Sequence, residues 1–359
     1  MSYPIFPYGS RFPLLVHPNA KVLVKEAERR FAQEIQLRSA PAAVDSTSIV
    51  NKVFGGKFAL IGCQFWPNGI AEEHSLTLLK VMHWFSMLDN MTDDMDGVGN
   101  SAWATQTVCA AILEAFFKGS ADDVEMLRVV PGDVTPLPLD AAQRRPISLL
   151  LEIAVEWWAE LRARMPPLQR ARFVQAFSDF ILVNVRQARF REEGQLPRLD
   201  EYMHLRRSAA GISLFQIIAE YDLDIQLDKE ALSNPLLRKL QQATGNHICW
   251  LNDYYSFPME FCKGDYLNLL ALLHYRNNMT PEPKQELVPF KVATSEAWAM
   301  VTAMEQECVE LAQKIKQDAV LIDKPGMMSY VDTICSQTAA MWDCSVHSPR
   351  YMEGHVRQL

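Results

Sequence analysis

Residues 250–261 read W-L-N-D-Y-Y-S-F-P-M-E-F, and Asn252, Ser256 and Glu260 recur in this stretch at intervals of four residues. On an α-helix, a step of four residues turns the side chain by only about 40° and advances it by about 6 Å, so all three side chains project from one face. Amide, hydroxyl and carboxylate oxygens together suit a hard cation such as Mg²⁺, which usually binds one or two carboxylates and the phosphate oxygens of a substrate. The stretch therefore predicts a long helix that carries part of a magnesium site.

A second group of oxygen-bearing side chains follows an apolar stretch earlier in the chain. Residues 83–97 read H-W-F-S-M-L-D-N-M-T-D-D-M-D-G, and Asp89 and Asp93 are again four positions apart. Apolar residues recur at mostly helical intervals over 70–88, so both aspartates are expected near the end of a helix that Gly97 stops. Two oxygen clusters on separate helices could face each other and clamp a metal–diphosphate group.

Four motifs of this chain resemble those of the class I terpene synthases of microbes and fungi. Residues 89–93, D-N-M-T-D, look like the aspartate-rich motif of that family, and residues 252–260 match its N-D-x-x-S-x-x-x-E triad without a gap. Residues 201–207, E-Y-M-H-L-R-R, are similar to the segment that carries its diphosphate-sensing arginine. Residues 342–351 resemble its C-terminal segment, in which a tryptophan and a serine precede Arg-Tyr. The order of the four motifs is that of the family.

The resemblance implies an all-α fold: a single-domain helical bundle, residues 1–359, around a central apolar cavity. It implies Mg²⁺-dependent ionisation and cyclisation of an allylic prenyl diphosphate, above all farnesyl diphosphate to a sesquiterpene hydrocarbon or alcohol. Three Mg²⁺ ions are expected. Two would be held on the side of Asp89, with Asp93 as a further candidate ligand, and one by Asn252, Ser256 and Glu260.

The resemblance also assigns the groups that contact the substrate. Arg206, Arg350 and Tyr351 would donate hydrogen bonds to the diphosphate and so assist its departure. Phe85 and Trp342 would line the cavity, although aromatic side chains of this kind serve equally well in a packed core. The same family features predict that residues 342–359 form a mobile lid that orders over the bound substrate.

Two positions depart from the commoner family pattern. Asn90 replaces the second aspartate of D-D-x-x-D, which lowers the local negative charge and makes Asp89 the first choice for a metal ligand. Pro258 lies between Ser256 and Glu260, and a proline inside a helix removes one backbone hydrogen bond and tends to kink the helix. A kink at this point would alter the direction of the Glu260 side chain.

Periodicity predicts helices along nearly the whole chain. The predicted segments are 20–36, 70–96, 102–117, 147–163, 168–193, 201–222, 235–261, 265–276, 292–317 and 325–346. Asn234 and Pro235 form a good helix start, because asparagine caps free N–H groups and proline fits the first turn. The proline-rich stretch 119–146 is predicted to be a loop insertion, and residues 1–18 an irregular N-terminal segment.

Composition excludes several other classes of protein. No stretch of the 359 residues approaches the roughly 18 uncharged apolar residues of a membrane span, and the N-terminus lacks the pattern of a signal peptide. The net charge of −8 argues against a nucleic-acid partner, which calls for a basic stripe. Seven cysteines without a C-x-x-C pair indicate reduced thiols. We therefore expect a cytoplasmic enzyme, monomeric or homodimeric, whose partner is a small-molecule prenyl diphosphate.

Two other functions fit a helical chain with these motifs. A prenyl chain-elongating transferase would use similar helices, but it would carry a second aspartate-rich motif where this chain has the Asn-Ser-Glu triad. A catalytically silent helical binding protein would have no need of an intact ligand set. Both remain alternatives to the terpene synthase.

Overall fold

A computed structural model describes residues 9–39, 46–69, 71–92, 98–117, 141–275 and 289–348, with only the backbone given for 141–145. Within these ranges the chain is helical with short connections, and no β-strand occurs. The all-α prediction is therefore confirmed. The chain divides into two compact units, one formed by His17–Arg189 and the other by Met1–Val16 together with Phe190–Leu359. The expectation of a single domain around a central cavity stays a prediction.

In its described residues, the unit His17–Arg189 contains seven α-helices and a short 3-10 helix, Val98–Asn100. The helices are α1 (Ala20–Ser39), α2 (Ser46–Gly55), α3 (Phe58–Phe65), α4 (Glu72–Thr92), α5 (Ala102–Phe117), α6 (Ala141–Arg162) and α7 (Pro167–Glu192), the last of which ends in the other unit. Helix α4 packs against α1, α3 and α6, and α5 packs against α6. This places α4, with Asp89 in its last turn, among α1, α3 and α6.

Stacked aromatic side chains form the core of this unit. The Phe116 ring lies 3.9 Å from that of Phe177 and 4.7 Å from that of Trp158, both in stacked geometry. The Trp84 indole donates a 2.8 Å hydrogen bond to the carbonyl of Leu150. Aromatic pairs of this kind add about 0.5–1.5 kcal/mol each beyond the burial of their area. The core therefore holds α4, α5, α6 and α7 in a fixed arrangement.

Seven further helices lie in the described part of the other unit. They are α8 (Leu199–Ala209), α9 (Ile212–Asp222), α10 (Lys229–Ser233), α11 (Pro235–Cys262), α12 (Leu269–Tyr275), α13 (Phe290–Ile315) and α14 (Met327–His347). Helix α11 packs chiefly against α13 and α14, and also against α8 and α12. It is the central helix of its unit, so the predicted triad lies on a helix that packs against several others.

Most predicted helices are found, and three differences have clear physical causes. The predicted helix 201–222 is two helices, because Gly211 has a φ of 64° and interrupts the right-handed helix. The predicted loop 119–146 ends earlier than expected, since α6 begins at Ala141 and contains Pro146 near its start. Residues 118–140 lie outside the described chain. Helices α2, α3 and α10 were not predicted, because each is too short to show several turns of periodicity.

Residues 9–16, part of the predicted N-terminal segment 1–18, are anchored by hydrogen bonds to helices of their own unit. Residues 9–16 contain no helix. The Ser10 hydroxyl and the Arg11 N–H donate to Oε1 of Glu305 at 3.0 and 2.8 Å. Further along, the Leu15 N–H donates to Oγ of Ser336 at 2.8 Å. Glu305 is only 2% exposed, so Ser10 and Arg11 satisfy a buried acceptor on α13.

The predicted lid, 342–359, begins within α14 and extends beyond the described chain, and its mobility stays a prediction. Residues 342–347 continue α14 as regular helix, and Ser348, which follows, is buried. Residues 349–359, with Arg350 and Tyr351, lie outside the described chain.

Cysteines and hydropathy agree with the sequence analysis. All seven cysteines are free thiols, and six of them are buried; Cys262, at the end of α11, is exposed. Burial raises the pKa of the Cys109, Cys249 and Cys335 thiols to about 12. No helix in the described parts of the chain is long and apolar enough to cross a membrane.

Candidate metal and diphosphate site

Helix α11 starts and continues as its sequence dictates. The Asn234 side chain accepts a 2.9 Å hydrogen bond from the Leu236 N–H, and Pro235 occupies the first turn, where its missing N–H costs nothing. The helix continues through Pro258 to Cys262. Loss of one backbone bond at Pro258 therefore does not end the helix before Glu260.

Asn268 joins Ser256 and Glu260 to the start of α12. Its Nδ2 donates to Glu260 Oε2 at 2.8 Å and lies 3.4 Å from Ser256 Oγ. A shared partner at these distances requires that both side chains project from the same face of α11, as the four-residue spacing predicts. The residue connecting them was missed by sequence reasoning. The only signal for it is an asparagine directly before the apolar run 269–273.

Arg206 is held against the first residue of the triad. Its Nη2 donates to Asn252 Oδ1 at 2.6 Å, and its Nε donates to Asp253 Oδ1 at 2.8 Å. An amide oxygen has two lone pairs, so Asn252 can accept from Arg206 and still bind a cation. The structure therefore places the predicted diphosphate donor next to the predicted metal ligands within one unit.

Asp253 is the buried centre of this arrangement, where the sequence pattern indicates only a carboxylate beside the metal ligands or at the surface. Besides Arg206, its carboxylate accepts hydrogen bonds from the Tyr202 hydroxyl at 2.5 Å and from the Leu269 N–H at 3.1 Å. It is 1% exposed. Because α8 and α12 both donate to this carboxylate on α11, Asp253 links the three helices around Arg206.

The two charged groups of the site have displaced pKa values. Burial alone lowers the pKa of Arg206, but the adjacent Asp253 carboxylate raises it well above the usual arginine value. Burial, together with the negative charges of Asp265 and Asp253, raises the pKa of Glu260 to about 8, against the lowering effect of Asn268. A carboxyl group that resists ionisation in the protein alone is one that a bound cation would ionise.

The donor set fits Mg²⁺ rather than a softer metal. Among the described residues, no three His, Cys, Asp or Glu side chains are grouped so that they could hold a metal ion. The triad supplies one carboxylate, one amide oxygen and one hydroxyl, all hard oxygens. Mg²⁺ accepts such sparse protein ligation because waters and substrate phosphates complete its octahedron.

The remaining predicted residues lie elsewhere in the chain. Asp89 is a half-buried residue in the last turn of α4, and Asp93 lies outside the described chain. Phe85, one turn before Asp89, is buried and packs edge-on against Phe180 with ring centroids 5.2 Å apart. Trp342 is partly buried on α14.

Comparison with solved structures defines the fold of the chain. It is similar to wild-type cucumene synthase, with a TM-score of 0.68 over 94% of this chain and 99% of that one, at 16% sequence identity. At that identity the likeness shows the fold alone, which is the all-α fold of class I terpene synthases.

Comparison with protein families then gives the family. The model described as terpene synthase family 2, C-terminal metal binding, matches residues 80–283, more than half of the chain. The match extends from α4 to beyond the triad on α11. The chain therefore belongs to this family of terpene synthases, which are lyases, and the metal-binding description agrees with the hard oxygen atoms that the predicted triad carries on α11.

Individual relatives are more distant. The chain is 24% identical to microbial terpene synthase-like protein 13 of Selaginella moellendorffii, over 75% of this chain and 68% of that protein. It is 23% identical to sesquiterpene synthase 1 of Postia placenta, over 55% of this chain and 50% of that protein.

Proposed function

We propose that this terpene synthase uses Mg²⁺ to ionise and cyclise farnesyl diphosphate to a sesquiterpene. The observation that carries the proposal is the contact of Arg206 with Asn252 and Asp253, beside Ser256 and Glu260 on the same helix. It brings a permanent cation, suited to diphosphate, next to three hard oxygens suited to Mg²⁺. The C15 substrate is supported by the name of the Postia placenta relative, a sesquiterpene synthase.

The chemistry requires heterolysis of a carbon–oxygen bond. The allylic C–O bond breaks, the electron pair leaves with the diphosphate oxygen, and an allylic cation remains. Bound Mg²⁺, acting as a Lewis acid, would neutralise the charge that develops on the departing oxygens. The cation cyclises and then loses a proton to give a hydrocarbon, or captures water and loses a proton to give an alcohol.

The residues of the chain have distinct roles in this proposal. Asn252, Ser256 and Glu260 hold one ion, and Asp89 with Asp93 hold the remaining ions of an expected three. Arg206 orients the diphosphate through charge-assisted hydrogen bonds, which strengthen as negative charge builds up.

Other predicted contacts remain part of the proposal on the strength of the resemblance alone. Arg350 and Tyr351 would donate to the diphosphate. Phe85 and Trp342 would present ring faces to the cation, which attract positive charge.

A single set of incubations tests the proposal against both alternatives. The protein is incubated with Mg²⁺ and, separately, with geranyl, farnesyl and geranylgeranyl diphosphate, and pyrophosphate release and volatile products are measured by colorimetric assay and gas chromatography. We expect release and cyclic C15 products from farnesyl diphosphate, and none after chelation of Mg²⁺. A chain-elongating transferase would form longer products only with isopentenyl diphosphate present. A binding protein would release no pyrophosphate from any substrate, which would contradict the proposal.

A matched pair of variants links the activity to the triad. Glu260→Ala removes the only carboxylate of the triad and should lower turnover by about a hundredfold or more, since a metal ligand is lost. Glu307→Ala, an exposed glutamate on α13, should leave turnover unchanged. Equal turnover in the two variants would exclude the triad as a metal site.

A further inference from the structure

Asn268 performs two tasks with its two polar atoms. It is fully buried and directly precedes Leu269, the first residue of α12. Its Oδ1 accepts a 2.8 Å hydrogen bond from the Leu270 N–H and so caps the start of that helix. This cap fixes the side-chain amide, because the carbonyl end can no longer rotate away.

The nitrogen end of the same amide faces α11. Nδ2 lies 2.8 Å from the backbone carbonyl of Asp253, 2.8 Å from Glu260 Oε2 and 3.4 Å from Ser256 Oγ. An NH₂ group carries only two hydrogens, so it serves these three acceptors with two close bonds and one longer contact. One buried side chain therefore ties two members of the triad, and the backbone beside the third, to the beginning of α12.

We propose that Asn268 is a positioning residue that holds Ser256 and Glu260 in the orientation in which they bind the Mg²⁺ ion that in turn binds pyrophosphate. The proposal rests on the proposed function. A carboxylate accepts several hydrogen bonds, so Glu260 can accept from Asn268 on Oε2 and still bind a cation. Partners of metal ligands that fix their orientation typically contribute about 10–100-fold to metal affinity.

The residue type at position 268 meets both requirements. Aspartate would keep the cap, but it would place a second carboxylate against Glu260 Oε2. Serine would keep the cap as well, because serine is a good N-cap residue, but it lacks the amide that reaches Glu260. The two tasks of Asn268 can therefore be separated by one substitution.

The test is Asn268→Ser, with Asn234→Ser as its matched control. Asn234 caps α11 through the same contact, its Oδ1 accepting from the N–H two residues on at 2.9 Å, and it is 18 positions before Asn252 (252 − 234). Binding of inorganic pyrophosphate is measured by isothermal titration calorimetry at increasing Mg²⁺, without turnover. We expect N268S to raise the Mg²⁺ concentration for half-maximal pyrophosphate binding by about tenfold or more. N234S should leave that concentration unchanged, while both variants keep wild-type helicity in circular dichroism.

Each other outcome is decisive. If N268S binds like N234S, Asn268 is only a helix cap and the positioning role is wrong. If the wild-type protein itself shows no Mg²⁺-dependent binding of pyrophosphate, the proposed function falls and the positioning role with it. Should N268S fail to fold, Asn268→Thr, which also retains a capping oxygen, takes its place. Loss of folding in both would show that Asn268 acts on stability, which would overturn the proposal.

Discussion

The Asp253–Arg206 pair shows how far the stability of the site depends on one carboxylate. Replacement of Asp253 by Asn leaves the largely buried guanidinium of Arg206 without its counter-charge. Breaking a buried ion pair in this way typically costs about 3–5 kcal/mol. We expect a loss of that order in the free energy of unfolding, measured by urea denaturation, together with a lower affinity for Mg²⁺–pyrophosphate. Asp200→Asn, at an exposed ion pair with Arg198, is the control and should have no measurable effect. A D253N protein as stable as wild type would contradict the central role of this carboxylate.

His83 makes stability depend on pH. Burial lowers its pKa to about 3, and its ring lies 4.7 Å from that of Phe31 and 5.4 Å from that of Phe54. The unfolded chain takes up a proton near pH 6.5 and the folded chain does not, so between pH 6.5 and 3 the unfolded state binds more protons. Stability should therefore fall as pH decreases through this window, by up to about 1.4 kcal/mol per pH unit for each such histidine. His247, with a pKa lowered by burial to about 3, adds a similar term.

The variant His83→Phe isolates the contribution of His83. It cannot titrate and keeps a ring between Phe31 and Phe54. The free energy of unfolding should therefore decrease less steeply as the pH falls, by the amount that one histidine contributes. Urea denaturation from pH 7 to pH 4 measures this slope. His347→Phe, at an exposed position on α14, is the control. A slope equal to that of wild type in H83F would show that His83 takes up its proton in the folded state.

At the scale of the element, the break between α8 and α9 directly follows the helix that carries Arg206. Gly211 has φ 64° and ψ 22°, a left-handed conformation that costs a residue with a Cβ about 1–2 kcal/mol. Gly211→Ala should lower the free energy of unfolding by about that amount and reduce turnover, because α8 carries Arg206. Gly55→Ala, at the end of α2, meets no atom within 4 Å and serves as the control, which should be neutral or slightly stabilising. Equal stability of G211A and wild type would mean that the break does not need glycine.

The same break illustrates what the sequence can and cannot predict. Asn234 and Pro235 define the start of α11 chemically, and the observed helix begins at Pro235 as predicted. The apolar periodicity continues across Gly211, so pattern alone predicts one helix. The triad is predictable because its spacing is local. The roles of Asp253 and Asn268 are not, because they depend on the packing of α8 and α12 against α11.

At the scale of the whole chain, residues far apart in sequence are joined within the unit that contains the triad. Glu305 on α13 accepts from Ser10 and from the Arg11 N–H, which are 295 and 294 positions away. In Glu305→Ala, residues 9–16 should lose this attachment, and the Arg11 N–H should exchange faster. The lost charge-assisted hydrogen bond is worth about 1.5–3 kcal/mol, and the increase in exchange rate should correspond to that free energy. Mass spectrometry of the peptide covering residues 9–17 measures the change. The neighbouring Glu307→Ala is the control and should leave the exchange unchanged; equal protection in both variants would show that other contacts hold the segment.

The distribution of the thiols has a practical consequence for spectroscopy. Six cysteines are buried, and Cys262 is exposed two residues beyond Glu260, at the end of α11. A maleimide fluorophore or nitroxide added to the native protein would therefore attach chiefly at one position, without prior removal of other cysteines. The label would report on the end of the helix that carries the triad. Fluorescence or electron paramagnetic resonance of this single probe could follow the binding of Mg²⁺ and pyrophosphate in real time.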